Sequence, residues 1–253
     1  MNAPLAPTAH STANAVRMLC IGIILAFAPA LDAQPADLAR RVAQREADAA
    51  KERGNYMYRQ EVTLEEVDSR GLYKEVREVI FSPGGERSEK TIGSPTDNLK
   101  RLRLTPEDFQ DIREVQPFLF TPELLWLYQT KVAGEQNMDG VDCWLLQVTP
   151  KQTFEGQRMF DGVFWVDKSD YSVVRAEGVA VPQLMRYKNE NLFPRFTTFR
   201  EKVDGKFRFP VHTFADDTLG LSSGPLRIRM TIRYSNYKRF GASSTITFEE
   251  PKQ

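Results

Sequence analysis

The sequence predicts a mainly β protein: one curved antiparallel sheet of about ten or eleven strands, an N-terminal helix, and short helices inserted midway. Three observations predict it. Between Asn137 and Pro182 three segments follow one another, VDCWLLQVTP, RMFDGVFWVD and YSVVRAEGVAV. In the first, Trp144, Leu146 and Val148 share one face while Cys143, Leu145 and Gln147 share the other, the period of two that marks a pleated sheet. Second, polar turns join such segments. Asp167-Lys168-Ser169-Asp170 can bond its own backbone, so the simplest arrangement is an up-and-down meander. Third, an apolar, helix-like stretch interrupts the strands between Thr105 and Tyr128, in a place where a two-sheet sandwich has no need of one.

Taken in order, the chain of 253 residues opens with a leader. Arg17 precedes the apolar run Met18–Ala28, and Ala28-Pro29-Ala30 and Leu31-Asp32-Ala33 offer small-residue cleavage sites. The pattern predicts a signal peptide over 1–33 and a single domain over 34–253, exported to the periplasm. The apolar run is short for a membrane span. Cys20 lies at its front, where a lipidated cysteine would lie at its end.

Gln34–Arg53 reads as a helix with Leu38 and Val42 as a thin apolar stripe, Gly54 as a left-handed cap, and a place at a sheet edge or mouth. From Tyr56 the period becomes two. Tyr56, Tyr58 and Gln60 oppose Met57, Arg59 and Glu61, and the strand continues through Val62 and Leu64. Ser69-Arg70-Gly71 turns into a second strand, Leu72–Phe81, and Pro83-Gly84-Gly85 into a third ending near Ile92. Thr105-Pro106-Glu107-Asp108 and Thr121-Pro122-Glu123 each open a helix, with Phe118-Leu119-Phe120 between them. This insert either plugs the open side of the sheet as core or covers an apolar cavity as a movable lid.

After the central meander comes a strand over Arg195–Val203. Asp204-Gly205 forms a type I′ hairpin turn, and Lys206–Phe214 returns with Pro210 at an edge or a bulge. Leu226, Ile228, Met230, Ile232 and Tyr234 alternate with polar residues in the last clear strand. Ser244–Phe248 reads as a final edge strand.

The chemistry is sparse. With the leader removed, His212 is the sole histidine and Cys143 the sole cysteine, a buried and inert thiol in apolar surroundings. No HExxH, CxxC, Walker loop, GxGxxG or Gly-x-Ser-x-Gly elbow occurs, so neither a metal nor a cofactor is expected, and the chain does not read as an enzyme. His212 with Asp216 and Asp217 is the one acid/base alternative. The balance of 34 basic and 34 acidic residues argues against nucleic acid. A basic tilt over Arg186–Arg239 suits either a solvated strand face or an anionic membrane surface.

Apolar binding remains. The segments NYMYRQEVTLEEVD, DGVDCWLLQVTPK, GVFWVDKSDYSVVRAEG and EKVDGKFRFPVHT, with a signal peptide and mid-sheet helices, resemble the periplasmic outer-membrane lipoprotein-sorting proteins, the LolA/LolB-like group. The resemblance implies a half-open antiparallel β-barrel with helices over its concave side, carrying acyl chains of lipids or lipoproteins as a monomer. It implies an envelope sensor or protein-interaction module as the alternative. Phe118, Phe120, Leu124, Trp126, Trp144, Phe164 and Met230 are the expected cavity or lid residues.

Overall fold

The computed structural model describes residues 37–81, 87–106, 108–109, 112, 120–154, 159–181 and 194–240. The leader, the Pro83-Gly84-Gly85 turn, Phe118 and the strand expected over Ser244–Phe248 lie outside them.

Helix α1 spans Leu38–Arg53 and buries Leu38, Val42, Ala43, Glu46 and Ala49, one stripe at helical spacing. It ends at Gly54 with φ −57°, right-handed where a left-handed cap was expected. The N–H groups of Gly54 and Asn55 bond the carbonyls of Lys51 and Glu52, so the last turn tightens and runs directly into the first strand.

The strands are β1 (Tyr56–Glu66), β2 (Gly71–Phe81), β3 (Arg87–Thr91), β4 (Thr96–Asp97), β5 (Tyr128–Met138), β6 (Val141–Pro150), β7 (Met159–Asp167), β8 (Val173–Val181), β9 (Phe196–Val203), β10 (Phe207–Leu221) and β11 (Gly224–Arg239). They form one open antiparallel sheet in the order β3-β2-β1-β11-β10-β9-β8-β7-β6-β5, with β4 beside β2. The central meander is as the alternation predicts: β6, β7 and β8 are neighbours in turn. The sheet does not close, since β3 and β5 end the order without pairing to each other.

Turn chemistry sets much of this register. Asp204 and Gly205 both have positive φ, 51° and 70°, as a type I′ turn requires. Asp139-Gly140 does the same between β5 and β6, with φ 50° and 86°, an Asp-Gly signal that the sequence reading passed over. Pro210 lies beside a bulge, where the β9–β10 register shifts between Pro210 and His212.

Of the two places expected for α1, the edge is not used: the helix packs against β10, an inner strand, beside the β7–β8 and β9–β10 turns, where Arg45 faces Asp170 and bonds the Lys206 carbonyl. Arg200 of β9 explains this: its Nη1 donates to both carboxylate oxygens of Glu46 at 2.7 Å, and both residues are buried. The second expected insert helix is a single 3₁₀ turn, Leu125–Leu127. Only a few residues separate Thr121 from the start of β5, too few for an α-helix with its own caps. Of the first, Pro106, Asp108, Phe109 and Ile112 are helical.

Topology dictates what the insert must do. The chain leaves the sheet at Asp97, beside β2, and rejoins it at Tyr128 in β5, at the other end of the order. On a flat sheet that distance is about 43 Å, nine strand spacings. Among the described residues of the insert, Leu99 and Leu102 near its start and Phe120 near its end join the core formed by α1 and the inward-facing residues of the strands.

Candidate binding face

The inner face, the one carrying α1 and the insert, is built by strand parity. From β7 it receives Phe160 and Phe164, from β6 Trp144, Leu146 and Val148, from β5 Tyr128, and from β9 Phe196. Phe160 stacks on Phe164 with ring centroids 4.9 Å apart and planes 6° from parallel. The stack exists because Gly162 lies between the two phenylalanines and pairs directly with Gly178 of β8. A Cβ at either glycine would meet the tip of the Phe160 ring at 2.7 Å. Both lack one, so the ring lies down against the backbone.

Phe120 of the insert drops into this group. It is fully buried and meets Tyr128 and Phe164 edge-on, at 5.3 and 5.5 Å. Tyr128 in turn accepts a hydrogen bond from the backbone N–H of Phe160 at 3.3 Å. Burial raises the pKa of the Tyr128 hydroxyl, which keeps it a neutral wall of the site.

Two clamps hold the ends of the insert. At the first, Glu66, fully buried at the end of β1, accepts backbone N–H bonds from Lys100 at 3.0 Å and from Arg101 and Leu102 at 2.7 Å, and another from the Ser69 hydroxyl. Burial alone would raise its pKa. The N–H of Leu102, the Ser69 hydroxyl and the N–H groups of Arg101 and Lys100 outweigh it, so the carboxyl sits below its ordinary range. The Arg101 guanidinium adds bonds to the carbonyls of Ser223, Gly224 and Pro225 in the β10–β11 turn. At the second clamp, the Lys151 N–H donates to the Leu127 carbonyl at 2.8 Å and its Nζ to the Trp126 carbonyl at 2.7 Å.

Of the seven expected site residues, Phe120 and Phe164 are in contact. Leu124 is half-buried against the same core. Trp144 is buried on the inner face but stacks on Tyr171, 5.8 Å away, nearer α1 than Phe120. Met230 is buried on β11. Trp126 is 66% exposed, its side chain outside the packed interior. Sequence reading missed Phe160, Phe196 and Glu66. Glu66 was legible: it shares the parity of Val62 and Leu64, and an acid at an inward position signals a special partner.

The acid/base alternative finds no geometry. His212 and Asp216 share the outer face of β10 but stand four residues apart, about 13 Å along a strand. Asp216 is held by Arg227 at 3.0 Å and Arg229 at 3.3 Å, while Asp217 accepts the Arg195 N–H. Among the described residues no group of three or more His, Cys, Asp or Glu could hold a metal ion. Cys143 is buried, and burial first, then Asp167, pushes its thiol up to about 11.

Comparison with known proteins adds likenesses of structure. No family model matches the chain, and no curated protein does. It is similar to an outer membrane lipoprotein-sorting protein domain from Vibrio parahaemolyticus, with 12% identity over 81% of this chain and 93% of that one, at a TM-score of 0.44. It is similar to a LolA superfamily protein from Nitrosomonas europaea, with 14% identity over 82% and 99%, at 0.36. A third match is the Pseudomonas aeruginosa MucA/MucB complex, with 13% identity over 82% and 100%, at 0.26. The likeness is of fold alone. At these scores the half-open architecture rests on the sheet itself, and the site rests on its own geometry.

Proposed function

We propose that the protein is a periplasmic carrier or receptor of the cell envelope, working as a monomer, that holds an acyl chain of a lipid or lipoprotein on the inner face of its sheet. One observation carries this reading. The side chain at the centre of the aromatic group, Phe120, belongs to the insert and not to the sheet. Withdrawing the insert would open a slot walled by Tyr128, Phe160 and Phe164, with Leu146, Val148 and Phe196 in the surrounding core.

Magnitudes favour the exchange. Each buried methylene contributes about 0.8 kcal/mol, so a twelve-carbon chain gains on the order of 10 kcal/mol gross. Withdrawing a buried phenylalanine costs about 3–5 kcal/mol. The remainder covers part of the ordering cost of association. Such binding needs neither metal nor cofactor.

A second reading has its own observation. Trp126 presents 66% of its surface to solvent at the end of the insert, and exposed tryptophans serve as anchors for protein partners. Purification from the native envelope, followed by organic extraction and mass spectrometry, separates the two. Co-purifying acyl lipid or lipoprotein is expected. A stoichiometric envelope protein with no lipid would favour the second reading.

A further inference from the structure

The outer face of the sheet carries a row of side chains in direct register: Trp165, Arg175, Phe199, His212, Arg233 and Glu61, from β7 through β11 to β1. Along this row the sheet splits. The β10–β11 ladder runs from Leu221–Gly224 to His212–Arg233 and stops there. Beyond it β10 bulges at Val211 and stays with β9, while β11 continues beside β1 from Tyr234. Pro210, which has no N–H to offer a neighbour, stands at the point of separation. The fork leaves a hollow of about 460 Å³ lined by Glu61, Val211, His212, Arg233, Tyr234 and Ser235.

The charges around the fork are uneven. Arg227 is bound to Asp216, and Arg229 to Asp216 and Glu65. Arg175 is bound to Glu177, and Arg59 draws the Glu61 carboxylate to 3.2 Å. Among the described residues Arg233 has no such partner, although it is exposed at the mouth of the hollow. His212 stacks on Phe199 with planes 14° apart and is tilted against Phe214. Burial first, then the charge of Arg233 across the hollow, lowers its pKa.

We propose that this fork is a phosphate-binding site, at which Arg233 and His212 take a phosphate group on the face of the sheet opposite the acyl site. A guanidinium offers paired donors that match phosphate oxygens, and the imidazole and the Ser235 hydroxyl add donors beside it. The hollow exceeds what a bare phosphate fills and lies within the range of small-ligand sites, leaving room for the group the phosphate is attached to. Phe214, 36% exposed, gives that substituent an apolar rim. The phosphate is either that of a dissolved ester or a lipid headgroup.

The test follows the imidazole NMR signals of His212 in the full chain during titration with inorganic phosphate and with glycerol phosphate. In parallel, binding to phosphatidylcholine vesicles with and without phosphatidylglycerol is measured by sedimentation. A saturable response is expected that weakens roughly tenfold or more in Arg233→Gln and changes less than about twofold in Arg227→Gln, whose guanidinium Asp216 already holds. Arg233→Lys, keeping the charge without the fork, should recover part of the loss. A response to the dissolved esters assigns a soluble ligand. A response only to phosphatidylglycerol vesicles, still lost in Arg233→Gln, assigns the headgroup. Absence of a saturable response to every probe, or equal weakening by Arg233→Gln and Arg227→Gln, overturns the proposal.

Discussion

Glu66 shows how much one inward-facing acid can organise. Val62 and Leu64 fill the preceding inward positions with apolar side chains, whereas Glu66 brings a carboxylate that collects three consecutive backbone N–H groups of the insert. Hydrogen bonds to a charged group contribute about 1.5–3 kcal/mol each, and a buried donor left without its acceptor costs more than the bond gained. Glu66→Gln is therefore expected to lower stability by roughly 2–3 kcal/mol in urea unfolding. The sign of the pH dependence follows from the same site. Its folded pKa lies below its ordinary value, so its stabilisation is complete above the unfolded pKa, near 4.5, and is lost as pH falls through the folded value. The wild-type protein should lose its margin over Glu66→Gln in acid. A constant difference from pH 7 down to pH 2 would show that the carboxylate does not form the clamp.

At the scale of elements, most strands announce themselves by period-two alternation, and hairpins by Asp-Gly pairs at Asp139 and Asp204. What the sequence left hidden depends on neighbours distant along the chain. Gly162 and Gly178 look like ordinary weak points in two strands. Only their pairing turns them into the floor on which Phe160 lies. A Cβ at Gly178 would also collide with the backbone carbonyl of Asp161, which cannot swing aside as a side chain could. Gly178→Ala is thus expected to cost about 1–3 kcal/mol or more, read as a fall in the thermal midpoint, although alanine is ordinarily the better strand residue. An unchanged midpoint would mean that the glycine pair does not set the aromatic stack. The insert shows the opposite failure of local signals. Thr121-Pro122-Glu123 is a sound helix start, yet the chain must be extended by Tyr128, and position in the fold overrides propensity. The long edge strand β5 carries its own protection: a bulge between Val132 and Gly134 and the exposed Lys131 discourage a further strand from adding there.

For the whole molecule, the decisive feature is the pairing of β1 with β11, strands from opposite ends of the folded chain. No local pattern encodes it, and it places the N-terminal hairpin at one flank of the sheet and β5 at the other. Phe120, eight residues ahead of β5, then meets Tyr128 of β5 and Phe164 of β7 on the inner face. A single bent sheet stopped by an apolar insert was legible from alternation and from the position of the Phe- and Leu-rich stretch. Which insert residue does the stopping was not, because that depends on the path across the sheet. The proposed function requires that Phe120 hold the place of an acyl chain. The most direct measurement is a fluorescence titration of a twelve-carbon acyl probe into the wild type, Phe120→Ala and Phe164→Ala. Saturable binding of one probe per chain, tightened in Phe120→Ala because the slot is vacated and weakened in Phe164→Ala because a wall is lost, is the predicted result. No saturable binding in any of the three, or weakening by Phe120→Ala equal to that by Phe164→Ala, would contradict it.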